Sequence, residues 1–435
     1  MTLEEILVIV DNLIQPERLT TLQEIILRQC WSGKTYQQIA QDSDYDADYI
    51  RVVGSRLWQI LSDACAEKVT KNNFRAILRQ QSGKTKNVEN ISLNLELPDG
   101  SLPLKSNFYI ERPPIESSCY NGIRQPGALI RIKAPSNMGK TSLLTRILSA
   151  QNYQYHSVRL DLQQVDNKIL NDLNRFLRWL CANICSQLGI ENLIDEYWNE
   201  DLGLKVSCTA YMQDYILQQL DKPLILSLDQ LHLIFEHTDV AQEFLPLLRF
   251  WHEEANNISI WQKLHLIVIQ STESYVPLNF NQSPFNVGLP IVLPEFNAQQ
   301  IDELAQRHQL KLQDGKDKGN LKLLIEIIGG HPYLVRLAFY HLAKYNLTLE
   351  QLLKEISTET SIYRDMLLHY LATLYKNPSL ATAFKQVVLS EDAVKLESFV
   401  AYKLESLGLI SLQGDEAAPS CQLYRLYFRD RLNQF

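Results

Sequence analysis

An apolar run, ALIRIKA, ends at Ala134 in the loop Ala134-Pro-Ser-Asn-Met-Gly139-Lys140-Thr141, and the chain continues as TSLLTRILSA with apolar residues at helical spacing. Few features constrain a fold more. A strand must deliver a tight loop onto the first turn of a helix, where free amides and the helix dipole favour an anion. Gly139 leaves room for backbone beside phosphate, Lys140 supplies a cation to the β/γ oxygens, and Thr141 offers its hydroxyl to Mg²⁺. Asn137, Met138 and Ser142 flank these residues and complete the expected nucleotide-binding set of the loop. Ala134 stands where the strict pattern has Gly, and Asn137 where related loops often carry Gly. Asn tolerates positive φ better than other residues that carry a side chain.

Such a loop predicts a carboxylate at the end of a second buried strand, and LILSL runs into Asp229. Asp229 is expected to hold Mg²⁺ together with Thr141. The next residue, usually an acid that activates water, is Gln230, whose amide can orient water but cannot take its proton. Weak or absent turnover follows. A third strand, LHLIVIQ, ends in Ser271-Thr272-Glu273, so Ser271 or Thr272 is expected near the terminal phosphate; a capping turn explains the same residues. Arg249 in LPLLRFWHEE and Arg336 in HPYLVRLAF lie on expected helices and are candidates to neutralise phosphate charge. The catalytic candidates are therefore Gln230, Ser271, Thr272 and Arg249.

The organisation around this centre is a multidomain α/β one. Residues 1–80 read as helices, with expected spans Thr20–Trp31, Tyr36–Ser43 and Ala47–Ala66; Asp44-Tyr45-Asp46 between the last two is a turn of helix-turn-helix length. A polar stretch makes 81–100 a linker. Over 101–296 the runs ALIRIKA, HSVRLDL, PLILSLD, LHLIVIQS and LPIVLPEF alternate with helical segments, which predicts a parallel sheet. Residues 297–375 read as a helical lid opened by Asn297. Residues 376–435 read as helix, helix and then two strands around GLISLQGDEAAPSCQLYRLYF, the order of a winged helix. The seven cysteines are scattered without a Cys-x-x-Cys pair, fitting a reducing cytosol rather than a disulfide framework. No apolar stretch is long enough to span a bilayer and the first residues are acidic, so a cytoplasmic protein without a membrane partner is expected.

Five ordered motifs, FYIERP, APSNMGKTSLL, LILSLDQ, the run from Gln270 to Phe296 and Gly329-Gly-His-Pro-Tyr333, resemble the AAA-like domain common in cyanobacterial proteins, a member of the STAND class of signal-transduction ATPases. GKTYQQIAQDSDYDADYIRVVGSRLWQIL resembles the N-terminal helix-turn-helix of vWA-MoxR-associated proteins of bacterial conflict systems. The resemblance implies that Ile110, Glu111 and Arg112 lie over the adenine of ATP or ADP. It implies that Pro332, in a Gly-x-Pro motif, packs on the base from the lid. It also implies a switch in which bound nucleotide holds core, lid and winged helix together. Gln230, and His232 where relatives often have Asp, depart from the pattern and weaken the case for hydrolysis.

The outer domains admit two partner classes. Residues 1–87 hold 11 basic and 11 acidic side chains, with Asp42, Asp44, Asp46 and Asp48 crowding the turn and the start of the second helix. Acids at the end that meets bases repel phosphate, so a protein effector is favoured for this domain and DNA ranks second. Residues 361–435 are balanced as well, with 8 of each sign. A nucleotide-dependent homo-oligomer is compatible with the same pattern. The whole chain, at net −8, is no general polyanion binder.

Overall fold

The structure is a computed structural model that describes residues 6–7, 10, 14, 19–43, 45–65, 67–81, 95–271, 283–312 and 315–432. Two compact units emerge: Met1–Leu95 with His341–Thr373, and Glu96–Tyr340 with Leu374–Phe435.

The first unit is helical. Thr21–Trp31, Tyr36–Ser43 and Ala47–Cys65 follow the expected spans within a residue, and a further helix, Phe74–Gln81, joins them. Thr20 and Gln23 close a capping box on the first of these. Ile26, Leu27, Ile39, Ile50, Leu57, Leu61 and Phe74 form its core. Gly54 lets the helix Ala47–Cys65 approach the Tyr36 ring, since a Cβ there would stand 3.0 Å from two ring carbons. The Tyr36 hydroxyl accepts a hydrogen bond from Trp58 Nε1 at 2.7 Å. Asp46 starts the helix Ala47–Cys65 by accepting from the amides of Asp48 and Tyr49, at 2.8 and 3.2 Å. Asp44 lies outside the described residues.

In the second unit, five parallel strands stand in the order β2-β3-β4-β1-β5: β1 Leu129–Ala134, β2 His156–Asp161, β3 Leu224–Asp229, β4 Leu264–Ser271 and β5 Leu289–Val292. All five are the runs expected from sequence. Alternation along the strands feeds two cores: Leu224, Leu226, Leu228, Leu264, Leu266 and Val268 face one, while Ile130, Ile132, Ile225, Ile267 and Ile269 face the other. A sheet covered on both sides presents its chemistry at strand ends, in the crevice where strand order reverses. The register sets that crevice, with Ala134 level with Ser271 and Asp161 level with Asp229.

Asn297 caps the helix Ala298–Arg307 with a capping box to Gln300. The C-terminal stretch differs from its sequence reading. A three-stranded antiparallel sheet, β6 Val394–Lys395, β7 Ile410–Gln413 and β8 Glu416–Pro419 in the order β6-β8-β7, accompanies helices Pro378–Leu389 and Ser398–Ser406. The second expected strand ends at Pro419, and QLYRLYFRDR forms a helix, Gln422–Arg431. Its buried residues Leu423, Tyr424, Tyr427 and Phe428 recur at three- and four-residue spacing, which suits a helix and not a two-residue alternation. Cys181 and Cys185 lie on the buried face of the helix Leu173–Leu188, and all seven cysteines are free thiols. Among the described residues no helix is long and apolar enough to cross a membrane.

Candidate phosphate-binding site

The loop after β1 adopts the backbone its residues allow. Asn137 has φ +60° and Gly139 φ +91°, both in the left-handed region, and the helix Lys140–Gln151 begins directly afterwards. Lys140 is buried, and its ammonium donates to the carbonyls of Ala134 and Pro135 at 2.9 and 2.8 Å. Thr141 Oγ donates to Asp229 Oδ2 at 3.1 Å, so residues 88 positions apart in sequence meet where loop helix and β3 end. The Gln230 backbone N–H donates to Asp229 Oδ1 at 3.0 Å, and Gln230 itself turns left-handed at φ +58°. Ser271 is buried at the neighbouring strand end. Among the described residues its Oγ has no hydrogen-bond partner, while its backbone amide donates to His232 Nδ1 at 3.2 Å. Thr272 lies outside the described residues.

The segment 102–112 wraps the start of the loop helix. The Leu102 amide donates to Ser142 Oγ at 2.9 Å, and the Arg146 guanidinium lies 3.5 Å from the centre of the Tyr109 ring. Arg112 is buried, and its Nη1 donates to the Met138 carbonyl at 2.8 Å, bracing the loop from behind. Its own amide is held by the Glu116 carboxylate at 2.9 Å. Ile110, two residues before Arg112, is buried. The helix Ala298–Arg307 grips the same segment: Gln300 donates to the Glu111 carbonyl at 2.8 Å, and Arg307 to the carbonyls of Asn107 and Tyr109 at 2.6 and 2.7 Å.

Further along the chain, Pro332 opens the helix Pro332–Tyr345. Gly330 before it donates its amide to Glu295 at 2.9 Å and accepts from the Phe296 amide at 2.8 Å. Its lack of a side chain is required, because a Cβ would run into the Phe296 carbonyl. Between them, His331 turns toward the loop, where the Ser136 backbone and Lys140 act on its ring. Burial pushes its pKa down to about 4, with the Lys140 charge adding to that, so the ring is neutral at pH 7.

Two expected arginines are committed to other groups. Arg249 donates to Glu253, to the Ser283 carbonyl and to Asn286 Oδ1, at 2.8, 3.1 and 2.6 Å. Arg336 donates to the carbonyls of Glu96 and Leu97, each at 3.2 Å. The arginine that does reach the cluster is one that sequence reading passed over: Arg159 on β2, whose Nη2 lies 2.8 Å from Asp229 Oδ2. The signal was a basic residue alternating with Val158 and Leu160 in a strand, two positions before Asp161.

A strand-borne phosphate loop on a helix N-terminus, facing a buried strand-end aspartate, defines a P-loop ATPase domain. The AAA-like domain profile matches residues 97–430, and the chain belongs to that family. Residues 1–81 match the N-terminal helix-turn-helix of vWA-MoxR associated proteins. Among solved structures, a Walker-type ATPase of Pyrococcus abyssi is similar at 13% identity and TM-score 0.53, over 74% of this chain and 96% of that one. The ORC2 protein of Aeropyrum pernix in ADPNP-ADP complexes gives 15% identity and TM-score 0.40, over 74% and 91%. Cdc6p of Pyrobaculum aerophilum gives 14% and 0.38, over 76% and 96%. At these identities the first likeness speaks for the fold alone. No curated relative matches the chain.

Proposed function

We propose that this chain is a nucleotide-operated switch of the STAND type, which holds ATP or ADP with Mg²⁺ at the loop around Lys140 and relays its state to a protein effector. The observation that carries this reading is the convergence of a buried Lys140, Thr141 and Asp229, with Thr141 Oγ 3.1 Å from the carboxylate. The orphaned Ser271 Oγ beside them is a further polar atom that a phosphate oxygen would satisfy. Thr141 and Asp229 would hold Mg²⁺, which neutralises phosphate charge when bound. Asn137, Met138 and Gly139 offer backbone to phosphate, Arg112 fixes the loop behind them, and Ile110 and Pro332 flank the base. Ser142 contributes by anchoring Leu102, and Arg249 by bracing the segment at 283–286.

Turnover is slow in this reading because Gln230 has no proton-accepting group. Residues 376–435 act as a winged helix, supported by three helices and the β6-β8-β7 sheet. Nucleotide identified on the purified protein tests the proposal. Wild type is expected to retain ADP or ATP, and Lys140→Ala to keep its helical spectrum but lose nucleotide affinity by roughly 100-fold, about 2.7 kcal/mol. Wild-type protein that neither carries nor takes up nucleotide overturns the reading. Turnover of roughly 1 per second or faster, abolished by Lys140→Ala, overturns the slow-switch part.

One observation favours a second reading, a DNA-binding regulatory ATPase. The acids near the helix-turn-helix are engaged rather than free to repel phosphate: Asp46 caps a helix, Asp42 pairs with Lys34 at 2.7 Å, and Asp48 pairs with Arg51 at 2.5 Å. Arg51, Val52, Ser55, Arg56 and Gln59 form an exposed face of the second helix. Duplex binding whose affinity falls steeply with salt would rank this reading first.

A further inference from the structure

Asp229 is 1% exposed, and a carboxylate so buried needs a cation nearby. The cation it has is Arg159. β2 is an edge strand, and the Gln187 side chain fixes its backbone by accepting from the Arg159 amide at 3.0 Å and donating to the Arg159 carbonyl at 2.8 Å. Arg159 shares a strand face with Asp161, which is level with Asp229. Its guanidinium thereby reaches Asp229 Oδ2, the same oxygen that accepts from Thr141. The Arg159 side chain is 37% exposed, so it can turn to water at little cost.

We propose that Arg159 is a resident counter-ion that competes with divalent metal for Asp229, so that nucleotide is retained with little dependence on Mg²⁺. The inference rests on the nucleotide-binding reading above. A metal ion held by Thr141 and Asp229 would meet a carboxylate whose Oδ2 both Thr141 and Arg159 already hold. Its charge also repels a guanidinium a few ångströms away. Metal and guanidinium therefore exclude one another. When the metal is absent, the guanidinium beside the loop supplies positive charge for phosphate in its place. Arg159 acts through Asp229 and is a positioning residue.

The test is calorimetric titration of ADP into the full chain, in MgCl₂ and in EDTA, for wild type, Arg159→Lys and Arg159→Gln. The ratio of the two dissociation constants is expected to stay within roughly threefold for wild type and Arg159→Lys, and to rise about tenfold in Arg159→Gln. A merely structural arginine would weaken binding in both buffers and leave the ratio unmoved. An equal ratio in all three proteins overturns the inference, as does a smaller one in Arg159→Gln. Should Arg159→Gln fail to fold, the wild-type ratio decides: a value above about tenfold overturns it. Wild type that binds no ADP in either buffer removes the nucleotide reading and this inference together. ADP binding with the wrong ratios removes this inference alone.

Discussion

Each of the two units buries an acid, and they neutralise it differently. In the helical unit Glu24 is 1% exposed, and its Oε1 is held by Arg28 at 3.0 Å and Lys344 at 2.5 Å, side chains only 19% and 13% exposed. In the second unit Asp229 is equally buried, but its salt-bridge partner is Arg159, whose side chain is 37% exposed. A carboxylate enclosed by two shielded cations is a fixed structural joint. A carboxylate whose cation is half in water is an exchangeable one. The contrast separates a site that holds a fold from one that can trade partners.

The widest gap should appear on neutralising each acid. Glu24→Gln leaves two shielded cations without their carboxylate, and removing one partner of a buried pair costs about 3–5 kcal/mol. Asp229→Asn frees only a guanidinium that can turn outward, so a cost below about 1 kcal/mol is expected. Urea unfolding of both variants checks this. Equal losses would break the contrast between fixed and exchangeable acids.

Acid gives the next largest effect, and it acts on the second unit. His265 and His308 are buried there, and burial pushes each pKa down to about 4. His308 Nδ1 lies 2.8 Å from the Leu304 carbonyl, while the buried Nε2 has no partner among the described residues, so a second proton finds no acceptor there. The unfolded chain binds that proton near pH 6.5. The stability contributed is complete above that value and is lost as pH falls toward 4, by about 3 kcal/mol per ring. His308→Phe fits beside Phe108 and Phe339, which already pack on the ring. That variant is expected to flatten the pH dependence of unfolding by up to the same amount. An unchanged slope between pH 7 and 4.5 would show that His308 is not buried as a neutral ring.

The sequence made the fixed parts of the site readable, because adjacent residues specify them. Gly139, Lys140 and Thr141 lie in one loop, and Asp229 ends an apolar strand. The expected positive φ at Asn137 is present. Arg159 could not be read this way: its partner is 70 residues distant, and only strand register brings them together. Motif membership marks Ser142 and Arg112 for the nucleotide site without showing what they hold. Their polar groups tie Leu102 and Met138, contacts that depend on how the segment 102–112 crosses the loop helix. The C-terminal helix Gln422–Arg431 was misread because aromatic residues suit both strand and helix, and spacing alone distinguished them.

The smallest predicted effect concerns the loop backbone itself. Asn137 and Gln230 both sit in the left-handed region, at φ +60° and +58°. Asn is the residue with a side chain that enters this region most readily, whereas a longer side chain gains no comparable local hydrogen bond. Asn137→Ala should therefore cost about 1 kcal/mol, and Asn137→Gly should be nearly neutral because freedom at positive φ offsets greater unfolded-state entropy. Gln230→Gly should be neutral or slightly stabilising, relieving strain that Gln carries beside Asp229. Thermal unfolding of the three variants ranks them. If Asn137→Ala proved as stable as wild type, the left-handed turn would not be what places Asn at this position.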